Sequence, residues 1–313
     1  MENAKPVVLV TEPLSERALA ILASGAQVRR CTPEQAGDFI ADADALVVRT
    51  YTRVDDALLA RATRLKVIGR AGVAVDNIDL PAARARGIQV VHTPAANTLA
   101  VVDYTVRMIL EMNRRFWPMT GPLSPEQFHA ARAQSFGRFL AGLTLGIVGA
   151  GRIGSRVGRA AAALGMTVLY NDLLDLRFDY PATPVDKETL FFRSDIVTIH
   201  VPLTASTRGL IDSAALAQFK PGAQFINAAR GQCVDSHALA AALRSGQLSA
   251  AAIDCHDPEP PPADYPLWGL GENVILTPHV AARVPAATEA MNDVVHDILA
   301  VLAGRTPQFP AGE

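Results

Sequence analysis

Residues 143–154 read Leu143-Thr-Leu-Gly-Ile-Val-Gly149-Ala150-Gly151-Arg152-Ile153-Gly154. An apolar run leads into three glycines at GxGxxG spacing. Behind them, 155–164 is rich in small residues and ends at Gly165, a residue suited to closing a helix. A second apolar run, 166–170, then ends in Asn171-Asp172, with the acid 18 residues past the third glycine. GxGxxG alone also serves ordinary tight turns. Strand, glycine turn, helix, strand and acid in this order predict a dinucleotide-binding βαβ unit.

The chemistry assigns each position a task. Gly149 makes the turn, Gly151 lets backbone approach a pyrophosphate, and Gly154 lets helix and strand pack closely. The helix N-terminus offers unpaired N–H groups and about half a positive charge. Asp172 can accept from both adenosine ribose hydroxyls and repels a 2′-phosphate, so the expected cofactor is NAD rather than NADP. Arg152 either lies along the pyrophosphate or faces solvent.

Outward from this loop, short runs rich in Val, Ile and Leu alternate with helix-like segments. One series is 7–10, 45–48, 66–68 and 88–91; the other is 143–148, 166–170, 196–201, 223–226, 250–253 and 274–276. Strands apolar on both faces belong in parallel sheets covered by helices on each side. The expected fold class is α/β, with two doubly wound parallel-sheet domains. Residues 97–117 read as one long helix with two apolar stripes, Leu99, Val102, Val106, Ile109 and Asn113 on one, Val101, Thr105, Met108 and Met112 on the other. Two stripes need two partners, so this helix is expected to bridge domains, with one stripe at a subunit interface. A Pro/Gly-rich turn follows over 118–125, and 306–313 reads as frayed.

Composition removes several function classes. Among 313 residues, 29 Lys+Arg against 31 Asp+Glu give a net charge of −2, which offers no field for holding nucleic acid. With 50% apolar and 19% charged residues, the chain is no disordered polymer. Cys31, Cys233 and Cys255 lie far apart without CxxC spacing, against a disulfide framework or a metal site and in keeping with a reducing compartment. The start, MENAKPVVLVTEP, has too short an apolar core for a signal peptide, and no run approaches a membrane span. A cytoplasmic protein with no membrane contact is expected.

Seven histidines are present. His129, His237 and His296 read as surface residues, while His92 and His200 end strands. His279 follows the run 274–276 through Thr277-Pro278, at the carboxyl end of a parallel strand, where open α/β sheets place ligands. The preceding run leads to Asp254-Cys-His-Asp-Pro-Glu259-Pro260, and the one before it to Asn227-Ala-Ala-Arg230-Gly231. Three consecutive strands thus deliver Arg230, Glu259 and His279 to one rim. Those groups suit a 2-oxo acid reductase. Arg230 would hold the carboxylate and polarise the keto oxygen. His279 would protonate that oxygen as hydride arrives, and Glu259 would accept from the other imidazole nitrogen and raise its pKa. By spacing alone, a loop Glu and two solvated cations remain an alternative.

Together these stretches resemble the D-isomer-specific 2-hydroxyacid dehydrogenases, nearest the short phosphoglycerate-dehydrogenase-like members. The resemblance rests on Ile68-Gly-Arg-Ala-Gly-Val-Ala-Val-Asp-Asn-Ile-Asp79, the glycine loop, His200-Val-Pro-Leu-Thr204, Asn227–Gly231, Asp257-Pro-Glu-Pro260 and Thr277-Pro-His279. It implies catalytic roles for Arg230, Glu259 and His279. It implies cofactor contacts at Arg152, Ile153, Asp172, His200, Pro202, Thr207, Ala228 and Asp254 beside the glycines. Asp254 would meet the nicotinamide carboxamide or cap its strand; Thr207 would touch cofactor or cap a helix. It also implies a Rossmann NAD domain, 98–284, inserted in a smaller flavodoxin-like substrate domain, 1–97 plus 285–313, with the site in a cleft between them and a homodimer formed through the NAD domain.

For the substrate, the resemblance implies carboxylate binding by the backbone of Arg70, Ala71, Gly72 and Val73. Arg49 matches an arginine of the phosphoglycerate type, with Arg53 and Arg70 as possible companions around a phosphate. Three departures stand out: Val73-Ala74 replaces Thr-Gly, Asp103 replaces Glu, and Arg283 follows His279 where small residues are usual. These leave 3-phosphoglycerate beside hydroxypyruvate or glyoxylate as substrates. The chain's end near 313 implies none of the regulatory domains of longer members. A different class, an NAD-sensing corepressor-like binding protein, shares the scaffold.

Overall fold

Every apolar run named above becomes a parallel strand in a computed structural model of the chain, which describes residues 5–312. The chain divides into two compact units, 1–97 with 283–313, and 98–282.

The first unit holds β1 (Val7–Val10), β2 (Gln27–Arg30), β3 (Ala45–Val48), β4 (Val67–Arg70) and β5 (Gln89–His92). Their order is β2-β1-β3-β4-β5, all parallel, the flavodoxin-like order. The sequence reading missed β2, because Gln27-Val-Arg-Arg30 is an edge strand that buries no residue. Central β3 is buried at all four positions. Gly69 on β4 has a packing reason: a Cβ there would stand 2.3 Å from Ile298 Cδ1, so its absence lets the helix Val294–Leu302 settle on the sheet. The expectation of a frayed end fails for residues up to 312. Buried Asp297 accepts from Gln308 N and Phe309 N, both at 2.8 Å, and Ala311 N donates to Val90 O at 2.7 Å. A buried carboxylate needs such donors, and they tie the segment down.

The second unit holds β6 (Thr144–Val148), β7 (Thr167–Asn171), β8 (Thr183–Pro184), β9 (Ile196–Ile199), β10 (Ala223–Asn227), β11 (Leu248–Ile253) and β12 (Val274–Leu276). The order is β12-β11-β10-β9-β6-β7-β8, again all parallel. Successive strands are added outward in opposite directions on the two sides of the β6–β9 pair, and that switch point is where doubly wound sheets open a crevice at their carboxyl ends.

The long helix spans Thr98–Asn113, four residues short of the expected end. It stops where Asn113 turns its side chain back, Nδ2 donating to Ile109 O at 2.7 Å and to Gln224 Oε1 at 2.9 Å. Both stripes are buried in part: Val101, Thr105 and Met108, and Val102, Ile109 and Asn113. Leu99, assigned to a buried stripe, is instead 67% exposed. Beyond the helix, residues 114–137 make an exposed excursion within the unit. Arg138 N donates to Asn113 O at 2.9 Å and Arg138 Nε to Asn113 Oδ1 at 2.5 Å, closing the excursion at its base. Its helix, Pro125–Gln134, is well started by a Ser124/Gln127 capping box, yet buries no residue. Among the described residues, no helix is long and apolar enough to cross a membrane.

Candidate active site

The three loop glycines divide by what requires them. Gly149 has φ +88°, and a Cβ there would stand 2.9 Å from the His200 carbonyl group. A Cβ on Gly154 would fall 2.2 Å from Gly149 O. Both are therefore demanded by the protein's own backbone. Gly151 is not: its φ is unexceptional and a Cβ would meet nothing within 4 Å. Its bare surface beside the start of the helix Gly154–Ala163 is what an approaching pyrophosphate requires. The residues present thus fit a dinucleotide.

Asp172 is half-buried at the end of β7 and is engaged by the chain itself. Oδ2 accepts from Ala150 N at 2.7 Å and Oδ1 from Leu174 N at 3.0 Å. Each oxygen retains a lone-pair direction for a ribose hydroxyl. The carboxylate therefore braces the glycine turn as well. Arg152 is exposed and Ile153 half-buried. At the switch point, His200 N donates to Val148 O at 2.8 Å, and Nε2 lies 3.1 Å from Thr198 Oγ1. His200 Nδ1 is buried with no hydrogen-bond partner among the described residues. Burial pushes the ring down to about 4, so it is neutral. Pro202 and Thr207 form one turn, Thr207 Oγ1 donating to Pro202 O at 2.7 Å and accepting from Thr204 N at 2.7 Å. Thr207 thus caps its own loop rather than a helix. Ala228 is half-buried at the end of β10.

On the other side of the switch point, β10, β11 and β12 are adjacent and in register, Asn227 opposite Ile253 and Ile253 opposite Leu276. Their carboxyl ends carry Arg230, Asp254 and His279. Neighbouring strands lie about 4.8 Å apart, so these ends are within side-chain reach of one another. His279 Nδ1 stands 3.0 Å from both Glu259 oxygens. A carboxylate can only accept, so Nδ1 carries the hydrogen toward Glu259. The Cys255 sulphur, then Glu259, holds the imidazole proton up to about 10, against an opposing effect of burial. His279 and Glu259 are each 37% exposed at the side chain, open enough to meet a ligand. Arg230 Nη1 donates to Ala229 O at 2.6 Å, and its carbonyl accepts from Asn227 Nδ2 at 2.9 Å.

His279 has φ +52°, a left-handed conformation costly for a residue with a Cβ. Asp254, fully buried, is what holds it there. Asp254 O accepts from His279 N at 2.9 Å. Its Oδ1 accepts from Thr277 Oγ1 at 2.6 Å and Val280 N at 2.8 Å, and its Oδ2 from Ala281 N at 2.8 Å. Asp254 is therefore a strand-end cap, with one lone pair of Oδ2 left for a cofactor amide.

In the first unit, the expected carboxylate loop follows β4. Two of its amides are already used: Ala71 N donates to Val48 O at 2.9 Å and Gly72 N to Arg70 O at 2.8 Å. This leaves Val73, not Ala71, as the amide suited to a ligand. The loop is held from β5, where His92 Nδ1 lies 2.6 Å from Val73 O and Thr93 N donates to Gly72 O at 3.0 Å. Arg49 Nη1 donates to Pro13 O at 3.3 Å, and exposed Arg53 leans toward Asp55 at 3.7 Å.

Sequence reasoning missed three residues that shape these loops. Glu12, 6% exposed, accepts from the backbone N–H groups of Arg49, Thr50, Tyr51 and Thr52 and from the Thr52 hydroxyl, at 2.8–3.1 Å. His256 lies buried behind β12, Nε2 2.9 Å from Thr277 O and Nδ1 3.3 Å from the Tyr265 hydroxyl. Tyr104 reaches Thr277 from the long helix. Glu12 ends an apolar run, a hint of burial; nothing local marks the other two.

Residues 106–281 match the NAD binding domain of the D-isomer specific 2-hydroxyacid dehydrogenases. The chain is similar to a glyoxylate reductase of Thermofilum pendens, 35% identical over 97% of this chain and 94% of that one. The D-3-phosphoglycerate dehydrogenase of Methanocaldococcus jannaschii is 40% identical over 95% of this chain but 57% of its own length. The chain thus spans little more than half of such relatives. Among solved structures, the TT0316 protein of Thermus thermophilus superposes with a TM-score of 0.86 at 37% identity, covering 98% of this chain and 100% of that one. Glycine loop, acid, three strand ends and these matches define one class, and the chain belongs to the D-isomer specific 2-hydroxyacid dehydrogenase family. Residues 106–281 are its NAD-binding domain.

Proposed function

We propose that the protein is an NAD-dependent oxidoreductase acting at C2 of a small D-2-hydroxy or 2-oxo acid. The observation that carries this is the His279–Glu259 pair on the strand end two places from Arg230. Bound NAD supplies or accepts the hydride. Arg230 holds the acid's carboxylate and polarises its keto oxygen. His279 keeps a proton at Nε2, aligned by Glu259, and passes it to that oxygen in reduction or takes it from the hydroxyl in oxidation. Gly149, Gly151, Arg152, Ile153, Gly154 and Asp172 seat the adenosine pyrophosphate half. His200, Pro202, Thr207, Ala228 and Asp254 line the remainder. Arg49 and the Arg70–Val73 loop serve the acid, with Val73 N as the principal backbone donor.

Two substrate readings have separate support. Relatives named as D-3-phosphoglycerate dehydrogenases, with Arg49, favour a phosphorylated acid. The full-length match to a glyoxylate reductase, Val73 in place of a hydroxyl residue and Arg53 turned to Asp55 favour an unphosphorylated one. We favour the second, glyoxylate or hydroxypyruvate. Rates with phosphohydroxypyruvate, hydroxypyruvate, glyoxylate and pyruvate, with NADH and NADPH in parallel, test it. Turnover of hydroxypyruvate or glyoxylate with NADH supports this reading, and preference for phosphohydroxypyruvate supports the first. No turnover with any, together with NADH binding, would leave the corepressor-like class.

The 114–137 excursion supports a homodimer. A ten-residue helix that buries nothing is marginal alone in water. In and beside it Phe116, Trp117, Met119, Phe128, Phe136 and Phe139 are all exposed, a density of large apolar side chains that a second copy would cover.

A further inference from the structure

Thr277 stands two residues before His279, and three side chains grip it. His256 Nε2 lies 2.9 Å from its carbonyl oxygen. Its hydroxyl donates to Asp254 Oδ1 at 2.6 Å and lies 2.6 Å from the hydroxyl of Tyr104. The polarity of this chain is fixed. Thr277 Oγ1 donates to Asp254 Oδ1, which spends the single hydrogen of its hydroxyl. Tyr104 must then donate to Thr277 Oγ1. Burial, opposed in part by the Thr277 hydrogen bond, pushes the Tyr104 hydroxyl up to about 12, which keeps it a donor. The order is Tyr104 O–H to Thr277 O–H to Asp254 carboxylate. The same carboxylate receives Val280 N and Ala281 N on the far side of His279.

Resting on the proposed activity, we infer that Tyr104 is a positioning residue for His279: its hydroxyl, through Thr277 and Asp254, locks the 277–281 turn that holds His279 at its left-handed φ. Without it, Thr277 Oγ1 loses its donor and its own hydrogen bond to Asp254 weakens, leaving the Val280 and Ala281 amides to carry more of the turn. Hydrogen bonds in such a series strengthen one another, so the loss reaches beyond one contact. Tyr104 lies 173 residues from Thr277 and touches neither cofactor nor acid in this role.

The test compares wild type, Tyr104→Phe, Thr277→Val and the double variant by two readouts. The first needs no turnover: amide hydrogen exchange of Val280 and Ala281 in the cofactor-free protein. Tyr104→Phe should lower their protection by about tenfold, the scale of one hydrogen bond, while amides of β6 and β7 stay as in wild type. The second is kinetic. Tyr104→Phe should lower kcat by about tenfold with KM for NADH and acid within about twofold, because a displaced acid slows proton transfer without weakening binding. The double variant should match Thr277→Val, since both act through one chain. Unchanged exchange at Val280 and Ala281, or losses that simply multiply in the double variant, would overturn the inference. Failure of wild type to reduce any 2-oxo acid would instead sink the proposed activity, and the exchange data would still decide whether Tyr104 holds the turn.

Discussion

The imidazole of His279 and the carboxylate of Glu259 face each other with Nδ1 3.0 Å from both oxygens. The Cys255 sulphur and Glu259 together lift the ring to about 10. The proposed general acid is therefore charged through neutral pH. Reduction needs the imidazolium, so its rate should stay level at neutral pH and fall as pH rises through about 10. Oxidation needs the neutral ring, so it should climb over the same window. Glu259→Gln removes the negative partner and lowers the ring's pKa, moving the alkaline fall of the reductive kcat/KM toward neutrality. A pH–rate profile of both proteins in both directions checks this.

The glycine loop separates folding from binding. Gly154→Ala should cost several kcal/mol or abolish folding, because its Cβ would lie 2.2 Å from Gly149 O. Gly151→Ala meets no protein atom and should melt within a few degrees of wild type, yet bind NADH at least about tenfold more weakly. Thermal melts with and without NADH read both outcomes.

Glu12 organises the segment that carries Arg49. Burial alone would raise its pKa, but backbone N–H groups of Arg49, Thr52, Tyr51 and Thr50 outweigh that and lower it from 4.5. Glu12→Gln puts an amide NH₂ where one oxygen accepts and should cost on the order of 2–3 kcal/mol at neutral pH. A depressed carboxylate stabilises above its unfolded value and loses that contribution as pH falls through the folded one. The gap between wild type and Glu12→Gln should therefore narrow as pH drops below 4.5. Denaturant melts across that range measure it.

Phe136 and Phe139 are 86% and 87% exposed at the returning end of the 114–137 excursion. Light scattering should find a dimer. Phe136→Glu with Phe139→Glu should shift the mass to a monomer while circular dichroism stays unchanged. A wild-type monomer would remove the proposed interface.

Most strands were legible because buried parallel strands write themselves as unbroken apolar runs. Polar β2 and the two-residue β8 write no such signal. The glycine loop and the order Arg230, Glu259, His279 were legible because each lies just past a strand, where register alone fixes the rim. Supporting groups were not. Glu12 serves backbone 37–40 residues away, and Tyr104 serves Thr277 across 173. The 306–312 segment read as frayed because its anchor, Asp297, resembles any helix-surface acid until its burial is known.

The most direct test of the proposed chemistry is single-turnover NADH oxidation by His279→Ala against wild type, using whichever acid wild type reduces fastest. A positioned acid contributes about 10²–10⁴-fold, so the variant should lose at least about 10²-fold in rate while binding NADH as wild type does. An undiminished rate in His279→Ala would contradict the account.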